Sequence, residues 1–342
     1  MNSAKRVRQM AMIVLVSAAL AIVRAAVCAP ASSAAPTSTL DVLRLDYAYY
    51  NPVSLVLRRQ QWIEQEFARD GTRVEWVLSL GSNKANEHTA SGAVQFGSTA
   101  GSAALLARAN GVPLKTVWIY SQPEWTALVV PAGSPIRDVR ELRGKHVAAT
   151  RGTDPWFFLL QALHAAGLAQ RDVTLVHLQH PDGEMALLAN QVEAWAGLDP
   201  YMAHAEFMAG ARLLFRQRDW NTYGTLNVLE PFLAQHPDVV ARVLTQYERG
   251  RQWSIAHPDE LVRILSDEAR VTSDVARKVL KERTAFPTPR PGEAQQRVLL
   301  RIAPLMHAEQ LVPADIDLVA AINALLEPSA AARVLAAPGS TR

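Results

Sequence analysis

Cysteine is almost absent from this sequence, which limits what the chain can be. Cys28 is the single cysteine among 342 residues. One thiol cannot close a disulfide within the chain, and it cannot supply the clustered thiolates of a structural zinc site or an iron–sulfur cluster. Disulfide-stapled and cysteine-ligated folds are therefore excluded.

Motifs of catalysis and nucleotide binding are also missing. The chain has no glycine-rich dinucleotide fingerprint and no P-loop. Gly97 to Gly101 has the spacing of a nucleophile elbow, but Thr99 stands where that motif has serine. His177 and His180 are three residues apart at the end of a short predicted strand without a carboxylate motif, so surface or loop positions are favoured over a metal site. We predict no enzymatic activity, no metal and no cofactor.

Positive charge is in excess only at the start of the chain. The sequence has 35 Lys and Arg against 32 Asp and Glu. Lys5, Arg6, Arg8 and Arg24 precede residue 36, and no acidic residue does. Without these four bases, 31 bases face 32 acids, a net charge of −1. The remaining chain has no basic block that would indicate nucleic-acid binding.

The first 35 residues have the pattern of an export signal. Three basic residues precede an apolar run of about 14 residues, Met10–Val23, which is shorter than the roughly 20 needed to span a bilayer. Small residues follow from Ala29 to Ala35, so we expect cleavage and a mature chain that begins between Pro30 and Thr37. An uncleaved anchor and lipid attachment at Cys28 are the less favoured alternatives. Cleavage would remove the only thiol, which suits an oxidising compartment.

From Leu40 onward, short apolar runs alternate with amphipathic stretches, which predicts an α/β fold with mostly parallel sheets flanked by helices. The roughly 305 mature residues exceed what one core usually organises, so two lobes are expected. The predicted strands are Val42–Tyr47, Arg73–Leu80, Ala93–Gly97, Leu114–Tyr120, Trp125–Val130, Lys145–Thr150, Val173–Leu178, Val192–Gly197, Arg212–Phe215 and Asn221–Leu229. The predicted helices are Leu55–Asp70, Asn83–Ser91, Ser102–Ala109, Pro155–Ala166, Gly183–Asn190 and Tyr201–Ala209.

The alternation restarts after Pro131–Pro135, and after Leu229 every segment has helical periodicity. We therefore expect two crossings between the lobes, with the final helices returning to the first. The predicted division is 1–35 signal peptide, 38–128 first lobe, 129–225 second lobe, 226–328 return and C-terminal helices, and 329–342 tail.

Candidate binding residues follow predicted strands at three junctions. In open α/β sheets, ligands lie beyond the carboxyl ends of strands, where helix amino termini present free N–H groups and partial positive charge. For each junction alone, ordinary helix capping explains the same residue types. The predicted polar contacts are Asn51, Ser82, Asn83, Ser98, Thr99, Thr153 and Asp154, the predicted walls are Trp125, Trp156 and Tyr223, and Asp199 is interpreted mainly as a structural cap.

Several motifs in the same order resemble one known family. Val94-Gln95-Phe96-Gly97-Ser98-Thr99 is similar to its "D-F-G-x-x-G", and Ala109-Asn110-Gly111-Val112-Pro113-Leu114 to its "A-A-G-x-P-L". The stretch from Ser134 to Ala148 is similar to its "S-P-I-x-x-x-x-D-L-K-G-K-x-V-A", and that from Val192 to Tyr201 to its "V-D-A-W-x-x-W-D-P-Y". The family is the aliphatic-sulfonate, taurine and nitrate group of periplasmic substrate-binding proteins of ABC transporters.

The resemblance implies a periplasmic binding protein of the second structural type, a monomeric two-lobed clamp that closes on a small solute and delivers it to a membrane permease. A sulfonate or related small anion is the expected ligand. The alternatives are nitrate, a pyrimidine precursor or an aromatic acid, or an enzyme that reuses the fold. Thr153-Asp154-Pro155-Trp156 and Leu198 depart from the sulfonate members. Asp154 is predicted to cap its helix, with pairing to a cationic ligand group as the alternative.

Overall fold

The computed structural model describes residues 40–336, so the predictions on the export signal, Cys28 and the last residues lie outside the described part. The strands are β1 Val42–Tyr47, β2 Arg73–Leu78, β3 Gly97–Ala100, β4 Leu114–Pro123, β5 Thr126–Val130, β6 His146–Ala149, β7 Thr174–His177, β8 Ala194–Leu198, β9 Arg212–Phe215, β10 Gly224–Leu229 and β11 Thr284–Ala285.

The α-helices alternate with these strands up to β10 and then dominate the chain. They are α1 Pro52–Gln60, α2 Trp62–Phe67, α3 Ser82–Ala90, α4 Gly101–Ala109, α5 Asp154–Ala165, α6 His180–Leu188, α7 Tyr201–Ala209, α8 Glu230–Gln235, α9 Pro237–Ala256, α10 Pro258–Ala269, α11 Ser273–Arg277, α12 Glu293–Ala308, α13 Leu318–Leu325 and α14 Pro328–Ala336. Within residues 40–336, no helix combines the length and apolar character needed to cross a bilayer.

The first lobe is built on β1, β2, β3, β4, β10 and β11. β1 and β2 pair in parallel from Val42 opposite Arg73 to Tyr47 opposite Leu78. A parallel bridge between Leu45 and Phe96 joins this pair to the segment that leads into β3. β10 lies antiparallel between β3 and β4, and β11 pairs with the far edge of β4.

The second lobe contains one five-stranded sheet in the order β7-β6-β8-β5-β9. β6 pairs in parallel with β7 and β8, as expected for strands separated by crossover helices. β5 is antiparallel to both β8 and β9. The chain enters this lobe between β4 and β5 and leaves it between β9 and β10, which gives two crossing segments.

The prediction of a two-lobed α/β fold with two crossings is confirmed. The sheets, expected to be mostly parallel, are mixed. The antiparallel pairs of both sheets involve β4, β5, β9 and β10, the strands that lead into or out of the crossings. Hydrophobic alternation along the sequence indicates that these segments are strands but does not reveal their direction.

Several predicted boundaries differ from the observed ones. The long helix Leu55–Asp70 is two helices, because Gln61 adopts a left-handed conformation with φ of 55°. The strand predicted at Ala93–Gly97 begins only at Gly97. A short strand, β11, occurs in the region predicted to be wholly helical; it pairs with the end of β4.

The C-terminal helices pack on the first lobe and also reach the second. α9 and α14 belong to the core of the first lobe, where Tyr247 and Val334 lie with Leu45 of β1. α12 contributes Ile302 to a second core that also contains Leu105 of α4 and Phe158 of α5. This helix therefore contacts both lobes beside the crossings.

Candidate functional site

The helix amino termini of the two lobes meet where Gly81 lies against His180. Gly81 is the N-cap residue of α3 in the first lobe, and His180 is the first residue of α6 in the second. A Cβ atom added to Gly81 would lie 3.1 Å from His180 Nε2 and 2.7 Å from Asn83 Oδ1. Gly152, which precedes α5 in the second lobe, lies against Asn83 in the same way. A Cβ atom added to Gly152 would lie 3.8 Å from the Cβ atom of Asn83. The contact surface between the lobes is therefore closed.

Three buried side-chain atoms at or beside this contact have no hydrogen-bond partner among the described residues. They are Asn83 Oδ1, Gln179 Oε1 and His180 Nε2. Buried polar atoms are rarely left unpaired, because an unmade hydrogen bond costs about 1–3 kcal/mol. A side-chain amide can turn to present its N–H₂ group instead of its oxygen, so Asn83 and Gln179 can serve as donors or acceptors. Asn83, Gln179 and His180 therefore have side-chain atoms available for hydrogen bonds to a small polar group.

Asp154 of the second lobe accepts hydrogen bonds from the first lobe and from both crossings. Its Oδ1 accepts hydrogen bonds from Ser102 Oγ at 2.6 Å and Thr222 Oγ1 at 2.7 Å. Its Oδ2 accepts from Trp125 Nε1 at 2.7 Å and the Thr222 N–H at 2.8 Å. Burial raises the pKa of this carboxyl, and these four donors oppose that rise. The carboxylate holds the lobes and crossings together.

The prediction that Asp154 caps its helix is wrong. Thr153 is the N-cap residue and Asp154 is the first helical residue. The Thr153 hydroxyl donates to the Thr150 carbonyl at 2.6 Å rather than accepting from the helix. Asp154 turns away from its own helix because four donors brought by Ser102, Trp125 and Thr222 saturate its oxygens.

Asn51 and Ser98 belong to a buried network behind β1. Asn51 Oδ1 accepts from the Ser54 N–H at 3.2 Å and caps α1, while its Nδ2 donates to Ser98 Oγ at 2.8 Å. Ser98 in turn donates its hydroxyl to Asp46 Oδ1 at 2.7 Å and its N–H to both Asp46 oxygens at 2.9 Å. Burial raises the pKa of Asp46 to about 6. Asp46 thus fixes Ser98 of β3, the strand that leads into α4.

The remaining polar candidates also have partners within the protein. Ser82 Oγ accepts from the Ala100 N–H at 2.9 Å. Thr99 Oγ1 accepts from Asn227 Nδ2 at 2.7 Å and lies 3.1 Å from Thr225 Oγ1, so its side chain is bonded to β10. Their side chains mainly position the chain around the contact.

The three predicted walls lie in different places. Trp125 packs edge to face with Tyr50 of the first lobe, with 5.9 Å between ring centroids, and donates to Asp154. Trp156 lies in the core of the second lobe and donates to Gln170 Oε1 at 2.9 Å. Tyr223 lines a separate cavity of about 600 Å³ beside α12. Trp125 lies in the first crossing and Tyr223 in the second, so of the three predicted walls Trp156 alone lies away from the junction of the lobes.

Asp199, interpreted from the sequence mainly as a structural cap, is bonded within the protein. Its Oδ1 accepts from the Ala203 N–H at 2.9 Å near the start of α7, and Arg283 Nη1 lies 3.1 and 3.2 Å from its two oxygens. Arg283 also bonds to Glu206 of α7. Burial outweighs the attraction of Arg283 and raises the pKa of Asp199. The pair ties the second lobe to the segment that precedes β11.

Sequence reasoning missed four residues of this region. Asp46, Ser102 and Thr222 give no local signal, because their partners are more than 50 residues away along the chain. For His180 the sequence gives only the weak signal of a possible metal ligand. Within residues 40–336, no cluster of three or more metal-ligating side chains occurs. The signal that could have identified His180 is its position at a helix start directly after a strand of the second lobe.

Two α/β lobes joined by two crossings, with helix amino termini meeting between them, define the periplasmic binding protein fold. Residues 67–261, more than half of the 342, match the family described as NMT1/THI5 like, and the chain belongs to this family.

Three known proteins illustrate what the chain is similar to in sequence and in structure. A Bacillus subtilis (strain 168) protein, provisionally named an aliphatic sulfonates-binding protein, is 28% identical over 66% of this chain and 69% of its own. The riboflavin-binding protein RibY of Chloroflexus aurantiacus (strain ATCC 29366 / DSM 635 / J-10-fl) is 26% identical over 68% and 67%. The alkanesulfonate-binding protein SsuA of Xanthomonas axonopodis pv. citri, solved with bound MOPS, has a TM-score of 0.75, 24% identity and coverage of 83% and 98%.

Proposed function

We propose that this chain is the extracytoplasmic solute-binding component of an ABC importer and that it binds an aliphatic sulfonate or a related small organic anion between its lobes. The observation that carries this proposal is the meeting of α3 and α6 at Gly81 and His180. Helix amino termini attract anions through free N–H groups and the helix dipole. The unpaired side-chain atoms of Asn83, Gln179 and His180 add groups that can bond to a ligand.

Two relatives support two ligand classes. The Bacillus subtilis relative and the solved SsuA structure favour a sulfonate. The relative RibY favours a flavin as the second candidate, because it matches over two thirds of both chains. The contact between the lobes is closed, and the unpaired groups there are three single polar atoms. Such a contact fits the compact head group of a sulfonate better than the three fused rings of a flavin, so the sulfonate is the first choice.

The site residues divide into contacts and supports in this proposal. Asn83 and His180, with Gln179 beside them, contact the head group, and the free N–H groups at the start of α3 complete its shell. Tyr50 and Trp125 form the wall nearest the crossings. The other predicted residues act as supports, since their polar atoms are bonded within the protein: Asn51, Ser82, Ser98, Thr99, Thr153, Asp154 and Asp199.

The same proposal assigns no catalytic step to the chain. The described residues contain no cysteine, and the buried carboxylates Asp46 and Asp154 are saturated by hydrogen bonds. We further propose that the protein is exported to the periplasm, acts as a monomer and delivers its ligand to permease subunits in the membrane.

A titration with a ligand panel tests the function. Methanesulfonate, ethanesulfonate, butanesulfonate, nitrate and riboflavin would be titrated by calorimetry, with small-angle scattering of the free and saturated protein. We expect an alkanesulfonate to bind reversibly, to compact the protein and, at 100 times its Kd, to add about 2.7 kcal/mol to the free energy of unfolding. Binding of riboflavin without any sulfonate would establish the second candidate, and turnover of a bound ligand would contradict the transport role.

A further inference from the structure

The hydrogen bonds of His180 determine which of its ring nitrogens carries the proton in the closed structure. Thr150 Oγ1 donates to the Leu178 carbonyl at 2.7 Å and lies 3.2 Å from His180 Nδ1. A hydroxyl has one proton to donate. Because that proton is used by Leu178, Nδ1 must be the donor in its bond to Thr150. A neutral ring then has a bare lone pair on Nε2, the atom that faces Gly81.

A lone pair at this position is unsuited to an anion. His180 is fully buried, and its Nε2 has no partner among the described residues. An anionic group at the start of α3 would meet the Nε2 lone pair, and the two would repel each other. A proton on Nε2 converts this repulsion into a charge-assisted hydrogen bond.

From this geometry we infer that His180 binds the anionic head group as an imidazolium, so that each ligand is captured together with one proton from solvent. The inference rests on the proposed function and adds a residue that makes the clamp selective for charge. The proton attaches to Nε2, and the Nδ1 bond to Thr150 is unchanged. An uncharged analogue offers the imidazolium no counter-charge, so His180 would lose its proton on closure and the analogue would gain no charge-assisted hydrogen bond.

The pKa of His180 is consistent with such coupling. Burial alone lowers it to about 3 in the closed structure, and no charged neighbour contributes to this shift. When the cleft opens, water reaches the ring and its pKa should return to about 6.5. A bound anion beside Nε2 favours the charged form and raises the pKa again. The proton is therefore retained on closure only when an anion is present.

Ionisable groups on the elements around His180 are paired elsewhere or exposed. On α3, Lys84 pairs with Glu87 at 2.7 Å and His88 bonds to Ser79 at 3.3 Å. On α6 and α7, Glu184 pairs with His204 at 2.6 Å, and Asp182 is exposed. After β6 and on β7, Arg151 and His177 are exposed and bonded to each other through the Arg151 N–H. A variant without His180 should therefore lose only the part of the pH dependence of binding that His180 causes.

Calorimetric titration with ethanesulfonate, which stays ionised throughout, between pH 5 and pH 9 tests the inference. We expect a constant Kd below about pH 6, a rise of about tenfold per pH unit above pH 7, and uptake of about one proton at pH 8, read from buffers of different ionisation enthalpy. His180→Gln should remove the slope and the proton uptake. His177→Gln, three residues earlier and exposed, should keep both.

The outcomes separate the inference from the function beneath it. Binding by the parent protein with a pH-independent Kd, or with no proton uptake, would overturn the inference alone. The same slope in His180→Gln as in the parent would also overturn it. Absence of ethanesulfonate binding at every pH would contradict the sulfonate function and the inference together. Nitrogen NMR of the protein with and without ethanesulfonate adds a readout of the ring itself: a titration of His180 that is the same in both would again contradict coupling.

Discussion

Ser102 Oγ donates a 2.6 Å hydrogen bond to Asp154 Oδ1, and this bond joins the first helix turn of one lobe to that of the other. The same carboxylate accepts from Trp125 in the first crossing and from Thr222 in the second. One side chain therefore connects all four segments that must move relative to each other when the lobes open.

Substitutions of Asp154 should separate its shape from its charge. Asp154→Ala leaves Trp125 Nε1 and the Thr222 N–H buried without acceptors, and we expect a loss of about 2 to 4 kcal/mol in the free energy of unfolding. In Asp154→Asn, the oxygen can accept those two N–H groups while the amide donates to the two hydroxyls. This variant should stay within about 1 kcal/mol of the parent. Urea denaturation at pH 7 measures the free energy of unfolding of both variants. Equal losses in the two variants would contradict the assigned hydrogen-bond pattern.

Much of the fold can be predicted from the sequence because its elements are strongly periodic. Tyr201–Ala209 and Arg212–Phe215 have the predicted bounds. The position of the site could be predicted only as a set of helix starts. Whether Asp154 turns toward its own helix depends on Ser102 and Thr222, which are distant in sequence. His180 likewise gains its importance only when the lobes bring Gly81 against it.

Asp46 should make the protein less stable as the pH rises. Its folded pKa of about 6 exceeds the ordinary 3.8, so its favourable contribution is complete below about pH 4 and is lost as the pH rises through about 6. The difference of about two units corresponds to up to about 3 kcal/mol. The stability of Asp46→Asn relative to the parent should rise by that amount between pH 4 and pH 7. Asp315→Asn, at an exposed aspartate, serves as the control. If the stability of Asp46→Asn follows the same pH dependence as that of the parent, Asp46 does not contribute to stability in this way.

Arg283 should be essential for stability because it neutralises two acids in a buried position. It pairs with Asp199 and Glu206, and its side chain is 3% exposed. Arg283→Met leaves the buried Asp199 carboxylate without its ion-pair partner, whereas Glu206 keeps Lys278 at 3.3 Å, and we expect a loss of about 3 to 5 kcal/mol. Adding Asp199→Asn should recover part of that loss. Arg297→Met, at an exposed arginine 3.6 Å from Glu293, should change stability by less than about 0.5 kcal/mol. Thermal and chemical denaturation measure the stability of each variant. A loss in Arg283→Met as small as that in Arg297→Met would contradict a buried role for Arg283.

Gly81 and Gly292 form a matched pair for testing the contact between the lobes. Both are N-cap residues of helices, with φ of −178° and −177°. Alanine at Gly81 would place a Cβ atom 2.7 Å from Asn83 Oδ1 and 3.1 Å from His180 Nε2, whereas alanine at Gly292 meets nothing within 4 Å. The backbone cost of the two substitutions should therefore be similar, and only the first should obstruct the site.

We expect Gly81→Ala to weaken ethanesulfonate binding tenfold or more, because the added methyl group occupies the space between α3 and α6 and prevents full closure. Gly292→Ala should bind like the parent, and the two variants should have similar melting temperatures in the absence of ligand. Calorimetry measures the affinities, and small-angle scattering measures closure with saturating ligand. If Gly81→Ala binds ethanesulfonate as tightly as Gly292→Ala does, the anion does not bind where the helix amino termini of the two lobes meet.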